Sequence, residues 1–199
     1  GYVAILRTAR AESVAPAVEA YLAGGLRVIE ITTPCPEWLS WIAKLCAQRD
    51  GGESDLMAGA GTVLTVEEVS QVADVGGQLI VSPNTNPDVI RQARKSGLLS
   101  MPGAMSPTEV LAAQEAGASA IKLFPAELIS PPAVKALLAV TRSGTLFFPV
   151  GGITPQKMSD YLAAGATGFG IGSALYSPGK SPSDVHEVAL EFIQALTNL

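Results

Sequence analysis

Short apolar runs alternate along this chain with longer stretches in which apolar residues recur every three or four positions. The short runs begin near Val3, Val28, Leu56, Gln78, Leu98, Ala120, Thr145 and Gly168, at spacings of about 20 to 28 residues. Runs of this length between glycines and polar residues read as strands buried on both faces. The stretches between them read as amphipathic helices. In Glu12 to Ala23, for example, Val14, Val18, Tyr21 and Leu22 mark one apolar face. Glycine follows many of these stretches, as in Ala23-Gly24-Gly25, Val75-Gly76-Gly77, Ser96-Gly97, Ala116-Gly117 and Ala164-Gly165, where it can close a helix. Thr65, Ser106-Pro107-Thr108-Glu109 and Thr154-Pro155 carry the hydroxyls and prolines that favour helix starts.

Strict alternation of strand and helix predicts a parallel sheet. Eight repeats predict a closed (β/α)₈ barrel, a small TIM barrel forming a single domain over residues 1–199. An open doubly wound sheet is the alternative. The chain starts directly on the strand-like Tyr2-Val3-Ala4-Ile5-Leu6 with no initiator Met, so a short N-terminal segment is expected to be missing. Residues 51–55 read as a polar loop, and no domain linker is evident.

Composition narrows the function classes. Of the 199 residues, 48% are hydrophobic and 16% charged, enough apolar surface for a substantial core. The net charge of −5 and the absence of a basic run argue against a nucleic-acid partner. No apolar run approaches the length of a membrane span, which argues against a membrane partner. Cys35 and Cys46 form no metal motif and read as reduced thiols of a cytoplasmic protein, with a bridge between them as the alternative. His186, the one histidine, falls in the polar start of the last helix and reads as a surface residue. No metal-ligand spacing occurs, so no metal and no cofactor are expected.

Two charges interrupt apolar strands. Lys122 lies in Ala120-Ile121-Lys122-Leu123-Phe124, and period two puts it on one face with Ala120 and Phe124. An ammonium there is costly unless paired or neutral, and lysine shifts readily to its neutral, nucleophilic form when desolvated. Glu30 lies in Val28-Ile29-Glu30-Ile31-Thr32. Ile29 and Ile31 can pack under helices, which turns Glu30 toward the barrel interior. The third strand ends Ala58-Gly59-Ala60-Gly61-Thr62, with Ala58, Ala60 and Thr62 expected inside and space left for a ligand. A buried structural ion pair is the bland alternative for Lys122 and Glu30. Active sites of such barrels lie at the C-terminal ends of the strands. There the first strand ends in Arg7 and the fourth in Ser82-Pro83-Asn84. The last two strands end in Gly151-Gly152 and Gly170-Ile171-Gly172-Ser173, where backbone N–H groups can cradle a phosphate.

These residues resemble a known family, the 2-keto-3-deoxy-6-phosphogluconate/galactonate aldolases. The resemblance rests on Ala4-Ile5-Leu6-Arg7, Ile29-Glu30-Ile31-Thr32, Gly59-Ala60-Gly61-Thr62-Val63, Ile80-Val81-Ser82-Pro83, Lys122-Leu123-Phe124-Pro125-Ala126-Glu127, Pro149-Val150-Gly151-Gly152-Ile153 and Gly172-Ser173-Ala174-Leu175. It implies a Schiff-base aldolase, usually a homotrimer needing no metal, that acts on a small phosphorylated keto acid. It implies Lys122 as the Schiff-base residue and Glu30 as the general acid/base working through a bound water. By the same resemblance Arg7 and Thr62 hold the substrate carboxylate, Pro83 and Phe124 shape the pocket, and Gly151, Gly152, Gly172 and Ser173 hold the phosphate. Gluconate-type enzymes often carry an arginine just after the Glu-x-Thr of the second strand, and here Thr33-Pro34 follows instead. Cys35-Pro36-Glu37-Trp38, Gln78 to Asn84 and Ala174 to Gly179 look more like the galactonate type. The competing class is a non-aldolase phosphate-binding barrel, such as a phosphosugar epimerase or a relative of thiamine-phosphate synthase.

Overall fold

The computed structural model describes residues 1–52 and 55–198; the expected loop at 51–55 includes two residues outside that set. The alternation seen in the sequence is present. The chain runs β1 (Tyr2–Leu6), α1 (Val14–Ala23), β2 (Val28–Thr32), α2 (Trp38–Asp50), β3 (Met57–Gly61), α3 (Val66–Asp74), β4 (Leu79–Val81) and α4 (Pro87–Lys95). It continues through β5 (Leu99–Met101), β6 (Gly103–Ala104), α5 (Pro107–Ala116), β7 (Ile121–Leu123), α6 (Pro131–Val140), β8 (Phe147–Pro149), α7 (Pro155–Ala163), β9 (Phe169–Ile171) and α8 (Pro182–Thr197). The helix starts follow from local chemistry. Thr65 and Ser106 each accept from the backbone N–H three residues on, while Glu68 and Glu109 reach back to the cap. At the other end of α5, Gly117 takes φ 96°, a conformation glycine adopts without strain.

The strands form two parallel sheets, one of six strands in the order β5-β4-β3-β2-β1-β9 and one of three in the order β6-β7-β8. The eight expected runs are thus nine strands. Pro102, which has no N–H to give a ladder, separates β5 from β6. Its carbonyl still accepts from the Lys122 N–H at 2.9 Å. A parallel bridge pairs Val150, just past β8, with Gly170 of β9.

Apolar side chains collect in two places. The larger cluster lies where the outward residues of the strands, such as Ile29, Ile31, Ala58, Ala60 and Ile80, meet the helices. The smaller one gathers the inward Val3, Ile5, Leu79, Val81, Met101 and Val150. This corrects the expected phase of β3. Ala58 and Ala60 belong to the outer cluster, and Gly59 and Gly61 face inward. A side chain on Gly61 would overlap the Glu30 carboxylate. Alanine and glycine alternate in this strand, so either face could have been the inner one, and the bulk of Glu30 decides.

Cys35 and Cys46 are free and buried. His186 is half-buried in the second turn of α8, with Nδ1 unpartnered. No helix among the described residues is long and apolar enough to cross a membrane.

Candidate active site

A cavity of about 620 Å³ opens at the C-terminal ends of the strands. All ten residues singled out in the sequence line it: Arg7, Glu30, Thr62, Pro83, Lys122, Phe124, Gly151, Gly152, Gly172 and Ser173.

Lys122 sits at the centre of β7, between Gly103 of β6 and Phe148 of β8. The alternation that turns Ile121 and Leu123 into the outer core turns Lys122 inward, where it is 7% exposed. Its Nζ lies 4.8 Å from the centre of the Phe124 ring, on the same face, as period two requires. Glu30, at the middle of β2, is 1% exposed, and its Oε2 has no hydrogen-bond partner. Burial pushes its carboxyl above the usual range, and the nearby positive charges of Lys122 and Arg7 oppose that shift without cancelling it. Neither Lys122 nor Glu30 belongs to an ion pair among the described residues. The bland alternative, a tight structural salt bridge, is therefore not what the chain builds. It places an amine and a carboxyl biased toward its protonated form in one cavity.

Arg7 and Thr62 meet at the rim, with the Arg7 Nη2 donating to the Thr62 Oγ1 at 2.6 Å. Period two alone would have turned Thr62 with Ala58 and Ala60 toward the helices. Instead its φ is 60°, a left-handed value that a β-branched residue adopts only under constraint. The Thr33 hydroxyl donates to the Thr62 carbonyl at 3.2 Å and helps to hold it. The result is a guanidinium and a hydroxyl side by side, suited to a carboxylate.

The turns after β8 and β9 bring Gly151, Gly152, Gly172 and Ser173, none of them charged, to the same cavity. Gly151 and Gly152 take φ 107° and 61°, so the turn after β8 needs glycine twice. The N–H groups of Gly152, Ile153, Ser173 and Ala174 donate to no backbone or side-chain acceptor among the described residues. Unpaired N–H groups beside the start of α7 form a place where an anion can bind without a basic patch.

The sequence reading gave no role to several residues that also line the cavity. Among them are Thr32, Glu127, Thr154, Tyr176 and Ser177. The Tyr176 hydroxyl donates to the Thr8 Oγ1 at 3.3 Å and ties the loop after β9 to the loop after β1. Glu127 stood inside a recognised motif, but its position over the Gly151–Gly152 turn depends on where two loops meet, which no local pattern records. No cluster of three side chains suited to a metal occurs among the described residues.

Comparison with known proteins bears on this geometry. The family model for KDPG and KHG aldolases matches residues 2–189. A protein of Rhizobium meliloti (strain 1021) named as a probable 2-dehydro-3-deoxy-6-phosphogalactonate aldolase is 41% identical over 193 residues, which span 97% of this chain and 90% of the relative. The 2-dehydro-3-deoxy-6-phosphogalactonate aldolase of Escherichia coli (strain K12) is 38% identical over 193 residues, 97% of this chain and 93% of its own length. A solved structure described as native KDPGal superposes with a TM-score of 0.91 at 38% identity, covering 99% of this chain and 94% of that one.

Proposed function

The chain belongs to the KDPG and KHG aldolase family, and from that premise we propose that it cleaves 2-keto-3-deoxy-6-phosphogalactonate to pyruvate and glyceraldehyde 3-phosphate through an imine on Lys122. The galactonate epimer is preferred because two relatives matched over nearly the whole chain carry that substrate in their names. The observation that carries the chemistry is the pairing of buried Lys122 and buried Glu30 in one cavity with no ion pair to neutralise them.

In this reading the Arg7 guanidinium and the Thr62 hydroxyl take the substrate carboxylate, and the free N–H groups at Gly152, Ile153, Ser173 and Ala174 take the phosphate. Gly151 and Gly172 let the backbone approach it, and Pro83 and Phe124 wall the middle. The substrate is thereby stretched with its keto carbon over Lys122. The neutral amine adds to that carbon, and the carbinolamine loses water to give the imine. Glu30, through a water, supplies and removes the protons. Removal of the proton from the C4 hydroxyl breaks the C3–C4 bond, with the electron pair passing to the imine nitrogen as an enamine. Glyceraldehyde 3-phosphate leaves, C3 of the enamine takes a proton, and water releases pyruvate from Lys122. A carboxyl held above its usual range by burial is suited to such shuttling near neutral pH.

The same reading takes residues 1–199 as one domain and the two sheets as one eight-stranded barrel, with β5 and β6 as halves of a strand broken at Pro102. The Lys122 N–H to Pro102 carbonyl bond and the Val150–Gly170 bridge support that closure. It also takes the chain as a cytoplasmic homotrimer working without a metal or cofactor. Two free cysteines fit a reducing compartment. The test is borohydride reduction in the presence of pyruvate: one pyruvate-derived group per chain, mapped by peptide mass to Lys122. Adduct on another lysine, or equal trapping in Lys122→Ala, would sink the reading.

A further inference from the structure

The two turns that would receive the phosphate are each held from behind by a lysine. Lys157, in the first turn of α7, donates from Nζ to the Gly152 carbonyl at 2.9 Å. Lys180, ahead of α8, donates from Nζ to the Ala174 carbonyl and, at 3.2 Å, to the Leu175 carbonyl. Neither lysine belongs to an ion pair among the described residues.

Their placement has directional consequences. The Gly152–Ile153 peptide is trans and planar, so a carbonyl turned to Lys157 sends the Ile153 N–H the opposite way. After β9, the Leu175 and Tyr176 N–H groups both donate to the Gly172 carbonyl, making a single helical turn. Lys180 caps the carbonyl end of that turn, and the unpaired Ser173 and Ala174 N–H groups lie at its other end. A cation at the carbonyl end reinforces the dipole that favours an anion at the N–H end.

Lys157 is placed against the usual helix preference. Acidic residues occupy the first turns of α3, α4, α5 and α8, namely Glu67 and Glu68, Asp88, Glu109 and Asp184, while α1, α2 and α6 carry none. The first turn of α7 has no acid and carries Lys157. A cation there opposes the helix dipole unless an anion shares that end. The Glu127 carboxylate also lies against the Gly151–Gly152 turn, where it would repel a bound phosphate. Lys157 lines one hollow of about 240 Å³ with Glu127 and Asp160, where its cation partly offsets the two carboxylates.

We infer that Lys157 and Lys180 are positioning residues for phosphate recognition. They fix the carbonyls of the two turns outward, hold the N–H groups of the same turns toward the anion, and lend positive charge through the backbone without touching the substrate. The inference rests on the aldolase reading above.

Lys157→Met and Lys180→Met remove the charge at similar side-chain length. The paired substrates are 2-keto-3-deoxy-6-phosphogalactonate and the same keto acid without its phosphate. Each variant is expected to lower the ratio of their kcat/KM values about three- to tenfold, the net size of one typical hydrogen bond, mainly through KM of the phosphorylated substrate. The double variant should lose roughly the product of the two factors. Competitive inhibition by inorganic phosphate should weaken in the same order, and Lys157→Arg and Lys180→Arg should recover most of the ratio. If the variants lower both substrates equally, the lysines only support the fold and the inference is overturned. If the parent chain shows no preference for the phosphorylated substrate, the phosphate reading and the inference fall together. A parent that prefers it, beside variants that keep the ratio, overturns the lysines alone.

Discussion

The outer and inner faces of the same strands have been put to opposite uses. Outward, Ile29, Ile31, Ile80, Phe147 and Phe169 lock against the helices, and all are at most 1% exposed. Inward, six buried apolar residues share the interior with Glu30 and Lys122, and two of them, Ile5 and Val150, line the cavity itself. One layer carries the stability of the fold. The other is thin, leaves a space, and tolerates two charges that would be intolerable among the helices. The difference teaches that a buried charge here is affordable because the layer around it contributes little to holding the chain together.

That contrast can be broken from either side. The largest effect is expected from Lys122→Ala, which should reduce aldol cleavage to background while the circular dichroism spectrum stays that of the parent. Measurable cleavage would return Lys122 to a structural role. Glu30→Gln should slow turnover about 10²–10⁴-fold, the usual contribution of a general acid/base, with imine trapping still detectable. Near-normal turnover would leave Glu30 without a part in the chemistry. On the outer face, Phe147→Ala should cost about 3–5 kcal/mol in chemical denaturation, because an enclosed aromatic leaves a cavity. A loss below about 1 kcal/mol there would contradict the division of labour.

The smallest effect is a pH dependence. Burial holds the Glu30 carboxyl above its ordinary value of 4.5, so the folded chain keeps a proton that the unfolded chain has already released. Stability therefore falls as pH rises through the window that starts at that ordinary value. Glu30→Gln removes this contribution. The variant should melt above the parent near neutral pH and match it at pH about 4. A variant that melts lower at neutral pH would show that ionised Glu30 stabilises the fold.

Legibility in the sequence followed the same division. β2 could be assigned to its faces because isoleucine and glutamate cannot exchange sides. β3 could not, since alanine and glycine both fit either side, and its phase came out reversed. Thr62 lines the cavity although its position depends on a left-handed φ that no propensity announces. The break at Pro102 is readable in kind, a proline in a strand, but the apolar run around it continues and masks it. Lys157 and Lys180 gave no signal, because each acts through a long side chain folded back onto a carbonyl several residues away.

The overlap that any side chain on Gly61 would make with Glu30 also constrains the history of this chain. Gly61 carries no positive φ, so the space taken by the neighbouring carboxylate, and not backbone conformation, excludes a larger residue. The two positions cannot drift independently. A lineage that shortened Glu30 would free Gly61 to become alanine, and the return of glutamate would then be blocked until glycine came back first. The lock is a two-residue ratchet, and it would show itself as strong epistasis between Gly61 and Glu30 in a combinatorial library.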